Sequence, residues 1–407
     1  MKIFYLSLTA VVVLTAHSAM AQAQQSNSSN IDVSNGHVYI GKVSEKVTGL
    51  NSGTEDKAVA VGDKTKVGES AVAVGFEADA GKEGATAVGR GTKTQAYAVA
   101  MGFQANAGVQ AISIGKDSKG TGTLSVALGD EAKATHNYTL AFGNKASASG
   151  NSSQAFGYLS SSTAEYATAI GTATKATAIR TVAVGVGAEA TGTRSVSIGN
   201  YTKSNGNSSV SIGDRTNNNA NESVAVGYNN TIDRNSQKTV AVGNNIQTTA
   251  ANSVFLGDSS AYVEKGETTG GIGKVDGNYA GADAKGIVSV GSKGNERRIQ
   301  NVAAGLLSHR STDAVNGSQL HATNQRVEEV NKDAKAGIAA SMAFKDVPFV
   351  PGKWSYAAGA AHYSSESAVS LNLGRTSANG KYAISGGVSS DSRGRVGFRV
   401  GISGVFN

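Results

Sequence analysis

The stretch Ser195-Val196-Ser197-Ile198-Gly199 decides the fold, because it returns fourteen residues later as Ser209-Val210-Ser211-Ile212-Gly213 and again as Ser223-Val224-Ala225-Val226-Gly227. Fifteen glycines of this phrase run from Gly62 to Gly257, spaced by 13 or 14 residues except for one step of 16. A period this short is one coil of a solenoid. The residue before each glycine is large and apolar (Val61, Met101, Leu128, Phe142), and the residue two before is Ala or Ser in fourteen of the fifteen, Phe255 being the exception. Such alternation marks a strand with two unlike faces. The bulky face is expected to fill the interior of the coil, and the Ala/Ser face to meet a neighbouring chain. A second small position recurs three residues after the glycine (Ala78, Ala105, Ala132, Ala188), so each repeat reads as two short strands joined by turns. The glycine itself suits a turn with positive φ. Stacked at ~4.8 Å, the coils would build a rod of roughly 70 Å. One coil encloses so little apolar surface that neighbouring coils or chains must complete it.

The composition agrees with an extended molecule. Gly supplies 52 of 407 residues, well above the usual ~7%. Charged residues are 16% and aromatics 6%, which fits neither a large aromatic core nor charge-driven disorder. Cysteine is absent, which removes disulfides and thiol nucleophiles. The net charge is +7, but the basic residues are scattered singly, so no nucleic-acid partner is expected. At the N-terminus Lys2 precedes an apolar stretch and then Ala19-Met20-Ala21, the form of a signal peptide over residues 1–21 cleaved after Ala21. The apolar stretch is shorter than the ~20 residues a membrane-spanning helix needs.

Beyond the repeats (residues 58–261, preceded by a segment 22–57) lies an irregular insert, 262–286, rich in Gly and charge. Residues 287–317 follow, including Asn295-Glu296-Arg297-Arg298-Ile299-Gln300-Asn301-Val302-Ala303-Ala304-Gly305 and Ser311-Thr312-Asp313-Ala314-Val315-Asn316-Gly317. This passage resembles the neck of the trimeric autotransporter adhesins, the YadA-like family, and the repeats resemble that family's head. The resemblance implies a left-handed parallel β-roll, three copies packed together, on a coiled-coil neck and stalk. Residues 318–346 turn helical, with Leu320, Val327 and Ala334 seven apart, as a narrow coiled-coil seam requires.

Pro348 and Pro351, the two prolines of the chain, end the helix and open the last segment, 347–407. Four stretches there alternate apolar with small or polar residues: Trp354, Tyr356 against Ala357, Gly359; Val369, Leu371 against Ser370, Asn372; Ile384, Val388 against Ser385, Gly387; Val396, Phe398, Val400 against Arg399, Gly401. A lipid-facing barrel has this dyad, and so does a globular sheet with one buried face. Four strands cannot close in hydrocarbon, so several chains must contribute. Three chains give a transmembrane barrel of 12 strands. The resemblance implies that the helices pass through its lumen, where Ala357, Gly359, Gly387 and Gly401 leave room. It also implies that Phe406 is the C-terminal signal read by the barrel-assembly machinery, although Asn407 follows it. Arg399 is an inward charge, either solvated in the lumen or paired with a helix acid such as Asp333 or Glu329.

Chemistry of other kinds is not indicated. The histidines beyond the signal segment (His37, His136, His309, His321, His362) are too dispersed for a metal site, and no catalytic residue, cofactor or metal is expected. A structural or ice-binding solenoid would need a regular Thr ladder on one flat face; the residue after each repeat glycine varies instead (Asp63, Phe76, Arg90, Tyr158, Val186), so no such lattice is expected. The expected role is that of a homotrimeric adhesin, anchored in outer-membrane lipid with its head on the cell surface. Collagen, fibronectin and laminin of the host matrix are the candidate ligands. The resemblance to matrix-binding head motifs singles out Ser195, Val196, Ser197, Ile198, Gly199, Ser209, Val210, Ser211, Ile212, Gly213, Asn252, Ser253 and Val254. The alternative is a structural surface fibre or serum-resistance factor.

Overall fold

The computed structural model describes residues 31–34, 37–41, 57–264 and 279–406. The expected signal peptide with Ala21 lies outside them, as do most of 22–57, part of 262–286, and Asn407. The chain divides into a head unit, ending at Arg298, and a second unit that holds residues 299–407.

The head is a parallel β-solenoid. Each repeat supplies a strand of three residues before its glycine, extended through the glycine to five in four repeats from Val196 on, and in nearly all repeats a strand of two residues after it. The longer strands stack into one parallel sheet and the shorter ones into a second, of 14 strands, with each strand pairing its counterpart one coil on. Val126, Ala127 and Leu128, for example, lie beside Leu140, Ala141 and Phe142. The repeat glycines from Gly62 to Gly243 hold φ between +125° and +149°, as the turn reading required. They are also the point of closest stacking: a Cβ on Gly129 would lie 2.4 Å from the carbonyl oxygen of Gly143. The remaining turns use other residues at positive φ, such as Glu131 and Tyr138 at +55° and +60°. Their amides are held by carbonyls one coil back, Lys116 and Thr123 at 2.8 and 3.0 Å.

The interior corrects the expected assignment of the two faces. Ala60, Ala73, Ala100, Ala127 and Ala183 are fully buried, and so are Ala132 and Ala134 from the opposite strand. The small residues point into the coil, and Val, Ile and Leu point out, with Leu128 and Ile198 at 40% and 38% exposure. The reason is size. Each coil turns four side chains inward, Ser125, Ala127, Ala132 and Ala134 in one example, and its short circumference leaves room only for methyl- and hydroxyl-sized groups. Where hydroxyls replace methyls they are satisfied within the coil: Ser125 Oγ donates to the Gly122 carbonyl at 2.7 Å, and Ser197 pairs with Thr202 at 2.8 Å. Asn218 and Asn230 likewise donate to turn and strand carbonyls. Larger groups enter the interior towards its ends, Tyr39 and Val67 near the start and Ile232, Ile246 and the exceptional Phe255 near the C-terminal end.

In the second unit, helix α1 (Gly317–Ala343) matches the helical expectation and leads to an antiparallel meander of β1 (Trp354–Tyr363), β2 (Glu366–Thr376), β3 (Tyr382–Asp391) and β4 (Val396–Gly404). These four strands coincide with the four alternating stretches.

Because the coil interior is full, Ala127→Leu is expected to cost the head about 1–3 kcal/mol or more through overpacking. Leu128→Ala, one residue on but facing outward, should leave each coil intact. Limited proteolysis of the full chain across a temperature series distinguishes them, the first variant being cut inside the head at a lower temperature.

Candidate adhesive surface and membrane anchor

A coil that buries its alanines presents two unlike surfaces. The long-strand sheet turns out an apolar face built from Val126, Leu128, Leu140, Phe142, Val182, Val184, Val196, Ile198, Val210 and Ile212. Phe142 and Phe156 stack on it at 5.0 Å, one coil apart. The short-strand sheet turns out a polar face, and in register along it stand Lys93, Asn106, Lys119, Lys133, Ser147, Ser161, Lys175, Glu189 and Lys203. Just after these strands, two residues beyond each rung, runs a rank of hydroxyls, Thr135, Ser149, Thr163, Thr177 and Thr191, tied coil to coil by backbone hydrogen bonds. Both ranks are spaced at the repeat period, but only knowledge of which strand faces outward turns that spacing into a surface.

The polar face is partly neutralised at one end. Lys175 and Lys203 bridge Glu189 from either side at 3.2 and 3.3 Å. Burial alone would raise the Glu189 carboxyl; the hydrogen bond from Lys175 and the charge of Lys203 outweigh it and hold the carboxyl below its usual range. At a turn, the Arg90 guanidinium lies 5.6 and 5.9 Å from the rings of Phe76 and Phe103, a cation stacked between aromatics.

The residues singled out for adhesion fall on other parts of the coil. Ser195, Ser197, Ser209, Ser211 and Ser253 are buried inside it. Val196, Ile198, Val210, Ile212 and Val254 lie on the apolar face, Gly199 and Gly213 form the turn ladder, and Asn252 lies at a turn, donating to the Lys285 carbonyl at 3.1 Å. The structure thus gathers them into scaffold and apolar face, and places none on the polar sheet.

At the end of the head, Arg297 donates to the carbonyls of Val290 and Asp258 at 2.7 and 2.8 Å, and its guanidinium occupies the space a Cβ on Gly257 would need. In the second unit the neck is knit by two side chains at the helix start. Asn316 caps α1 in a capping box with Gln319 and donates to the Val302 carbonyl at 3.1 Å. Gln319 binds both the amide and the carbonyl of Gly305, at 3.1 and 2.7 Å. The motif Asn316-Gly317-Ser318-Gln319 therefore joins an irregular strap to a helix. Leu306, Leu307, Val315, Leu320 and Val327 all stay exposed on the single chain.

In the anchor the helix crosses the small-residue face of the sheet. Ala336, Ala339, Ala340 and Ala343 are buried there, with Ala361 and Ala368 against them. Ser370 Oγ donates to the Ala343 carbonyl at 2.6 Å. A Cβ on Gly359 would lie 2.0 Å from that same carbonyl oxygen, and one on Gly387 1.9 Å from Asn372 Oδ1, so both glycines permit close approach; Gly401 is less crowded. Ala357 lies on the same half-covered face. The opposite face is exposed and apolar, with Trp354, Tyr356, Leu371, Phe398 and Val400 on it, and Phe406 follows β4, 98% exposed. Among the described residues no helix is long and apolar enough to cross a membrane. Arg399 pairs with Asp346 at 3.1 Å rather than with Asp333 or Glu329. Asp333 instead takes Arg393 at 2.6 Å and Arg395 from the β3–β4 turn.

Comparison with known proteins follows the same divisions. Residues 298–341 match the family described as coiled stalk of trimeric autotransporter adhesin, and 348–406 the YadA-like membrane anchor domain. Residues 67–92, 121–146, 148–174 and 176–202 match the YadA head domain repeat. The trimeric autotransporter adhesin AtaA of Acinetobacter sp. (strain Tol 5) is 51% identical over 85 residues, 21% of this chain and 2% of that protein. Autotransporter adhesin BtaE of Brucella suis biovar 1 (strain 1330) is 60% identical over 53 residues, 13% of this chain and 7% of the relative. The chain thus spans a small fraction of the length of these relatives. Among solved structures, the C-terminal YadA-like domain of BPSL2063 from Burkholderia pseudomallei is 32% identical, covering 35% of this chain and 58% of that one at a TM-score of 0.24. The collagen-binding domain of Yersinia adhesin YadA is 22% identical, covering 64% and 86% at a TM-score of 0.18. These TM-scores are too low for either overlay to bear on the present fold.

Two substitutions test the site. Ile198→Asp with Ile212→Asp, which puts charge on the apolar face, is expected to convert heat-resistant oligomers on gels to single chains or to expose the head to protease. Asp333→Asn leaves two arginines without their acid, and is expected to lower the melting temperature of the solubilised anchor; Asp333→Glu should recover most of it.

Proposed function

This chain belongs to the YadA-like trimeric autotransporter adhesins, and we propose that it attaches the cell bearing it to host extracellular matrix or host cells. One observation carries the proposal: the solenoid repeats a single polar face along its length, which suits many shallow contacts rather than one deep pocket. Repeated weak contacts on three linked chains multiply into avidity. Collagen, fibronectin and laminin are the protein ligands proposed, with self-association of heads as a route to agglutination and biofilm.

The anchor has the companion role. Three four-stranded sheets, each with two open edges at β1 and β4, close into one barrel in the outer membrane, and the head is exported and held at the surface. Phe406, exposed after β4, is the residue proposed to be read by the barrel-assembly machinery. The alanine face of α1 fills the lumen, so the mature barrel is closed by its own helices. Within the repeats, contact with ligand falls to the polar short-strand face and the turns of the coils singled out by sequence, while their Ser and Val residues serve as scaffold.

Cells displaying the full chain are expected to bind at least one of immobilised collagen, fibronectin and laminin well above cells lacking it. Binding to none of them would remove the matrix-protein reading and leave a structural fibre or serum-resistance factor.

A further inference from the structure

We infer that the short-strand face from Lys93 to Lys175 is a docking surface for a linear sulfated polysaccharide of the extracellular matrix, a glycosaminoglycan. The inference rests on the adhesive reading above and names a ligand class for that surface.

Asp79 stands one rung before Lys93 and Glu189 bridges Lys175, but between those ends the lysines of this face have no ion-pair partner among the described residues. Seven successive rungs carry Lys93, Asn106, Lys119, Lys133, Ser147, Ser161 and Lys175, with no acid among them. Lys93, Lys119 and Lys133 are exposed, and none has a carboxylate in ion-pairing range among the described residues. The nearby acids are already engaged: Glu131 by Lys145 at 3.8 Å, and Asp117 by its neighbour Lys116 at 3.6 Å. Acids on the face itself occur only outside this stretch, at Asp79 and Glu189.

Shape and spacing select the ligand. Seven rungs extend about 29 Å, and the two rungs from Lys93 to Lys119 about 10 Å. A flat, ribbed strip of that length fits an extended polymer lying along the rod. Its sparse cations suit anions spread one or two sugars apart. Duplex DNA offers a phosphate on each strand every ~3.4 Å, so most of its charge would go unmatched. The strip also lacks the aromatic platforms on which single-stranded bases stack. What it does offer beside the lysines is the hydroxyl rank of Thr135, Ser149, Thr163 and Thr177, donors and acceptors suited to sugar hydroxyls and sulfates.

The test uses cells displaying the full chain and fluorescent heparin as probe. Wild-type binding should be saturable and weaken as salt rises, since exposed charges are screened. The variant K93Q/K119Q/K133Q is expected to bind about tenfold less or lower still, because each lost contact is repeated around the assembly. K93R/K119R/K133R should retain binding. Glu189→Gln frees Lys175 and Lys203, and should raise it. Lys238→Gln, away from the strip, should change nothing. Desulfated heparin and duplex DNA should fail to displace the probe. The proposal is overturned if wild-type cells bind no heparin, if the triple Gln variant binds as wild type, or if DNA competes equally. Heat-resistant trimer on gels monitors folding; were the Gln variant to lose it, the Arg variant and Glu189→Gln decide. Matrix-protein binding measured in parallel keeps the two readings apart. Lost heparin binding with collagen, fibronectin or laminin binding intact sinks this inference alone, and the reverse pattern sinks the protein-ligand reading alone.

Discussion

A coil of thirteen or fourteen residues encloses too little space for anything larger than Ala, Ser or Thr along most of its length, and the rest of the molecule follows from that limit. With the interior closed to them, Val, Ile, Leu and Phe are displaced to the outside of the long strands. A sheet face of that kind cannot stay in water without cost, since contiguous exposed apolar surface calls for a partner. On the proposed reading, three copies facing one another supply it. On that reading the head is not a finished fold until the chains associate, and the same holds for the anchor, whose four strands have open edges that hydrocarbon does not tolerate.

The same limit allocates function. Since one face of each coil is given over to neighbours, the polar short-strand face and the turns remain for recognition. Their side chains do little for the core and are free to vary from coil to coil, as the passage from Lys119 and Lys133 to Ser147 and Ser161 shows. The interior cannot vary in this way: its hydroxyls are bonded inside the coil, as with Thr139 to the His136 carbonyl at 2.6 Å. Adhesive specificity can change on such a scaffold without disturbing it.

Much of this was legible in the sequence, and the parts that were not have physical reasons. The repeat glycines, the helix and the four anchor strands were readable because each has its own period. Alternation shows that a strand has two unlike faces, but not which of them lies inside; that depends on the space within the coil, which periodicity does not measure. Hence the inverted assignment of Ala and Val. The lysine and hydroxyl ranks stayed hidden because they sit in and just after two-residue strands, too short to show alternation, and become a surface only through register. Arg399 showed as an inward charge, yet its partner Asp346 lies 53 residues away, beyond any local pattern.

The central claim, that the apolar long-strand face meets other copies and the polar face does not, can be measured directly because the chain has no cysteine of its own. Ile198→Cys and Lys203→Cys place a spin label on opposite faces of one coil. In the solubilised full-length trimer, inter-chain distances should be short for position 198, near the ~10 Å spacing of packed sheets plus the label arms, and much longer for position 203. Shorter distances at 203 than at 198, or no coupling at 198, would contradict it.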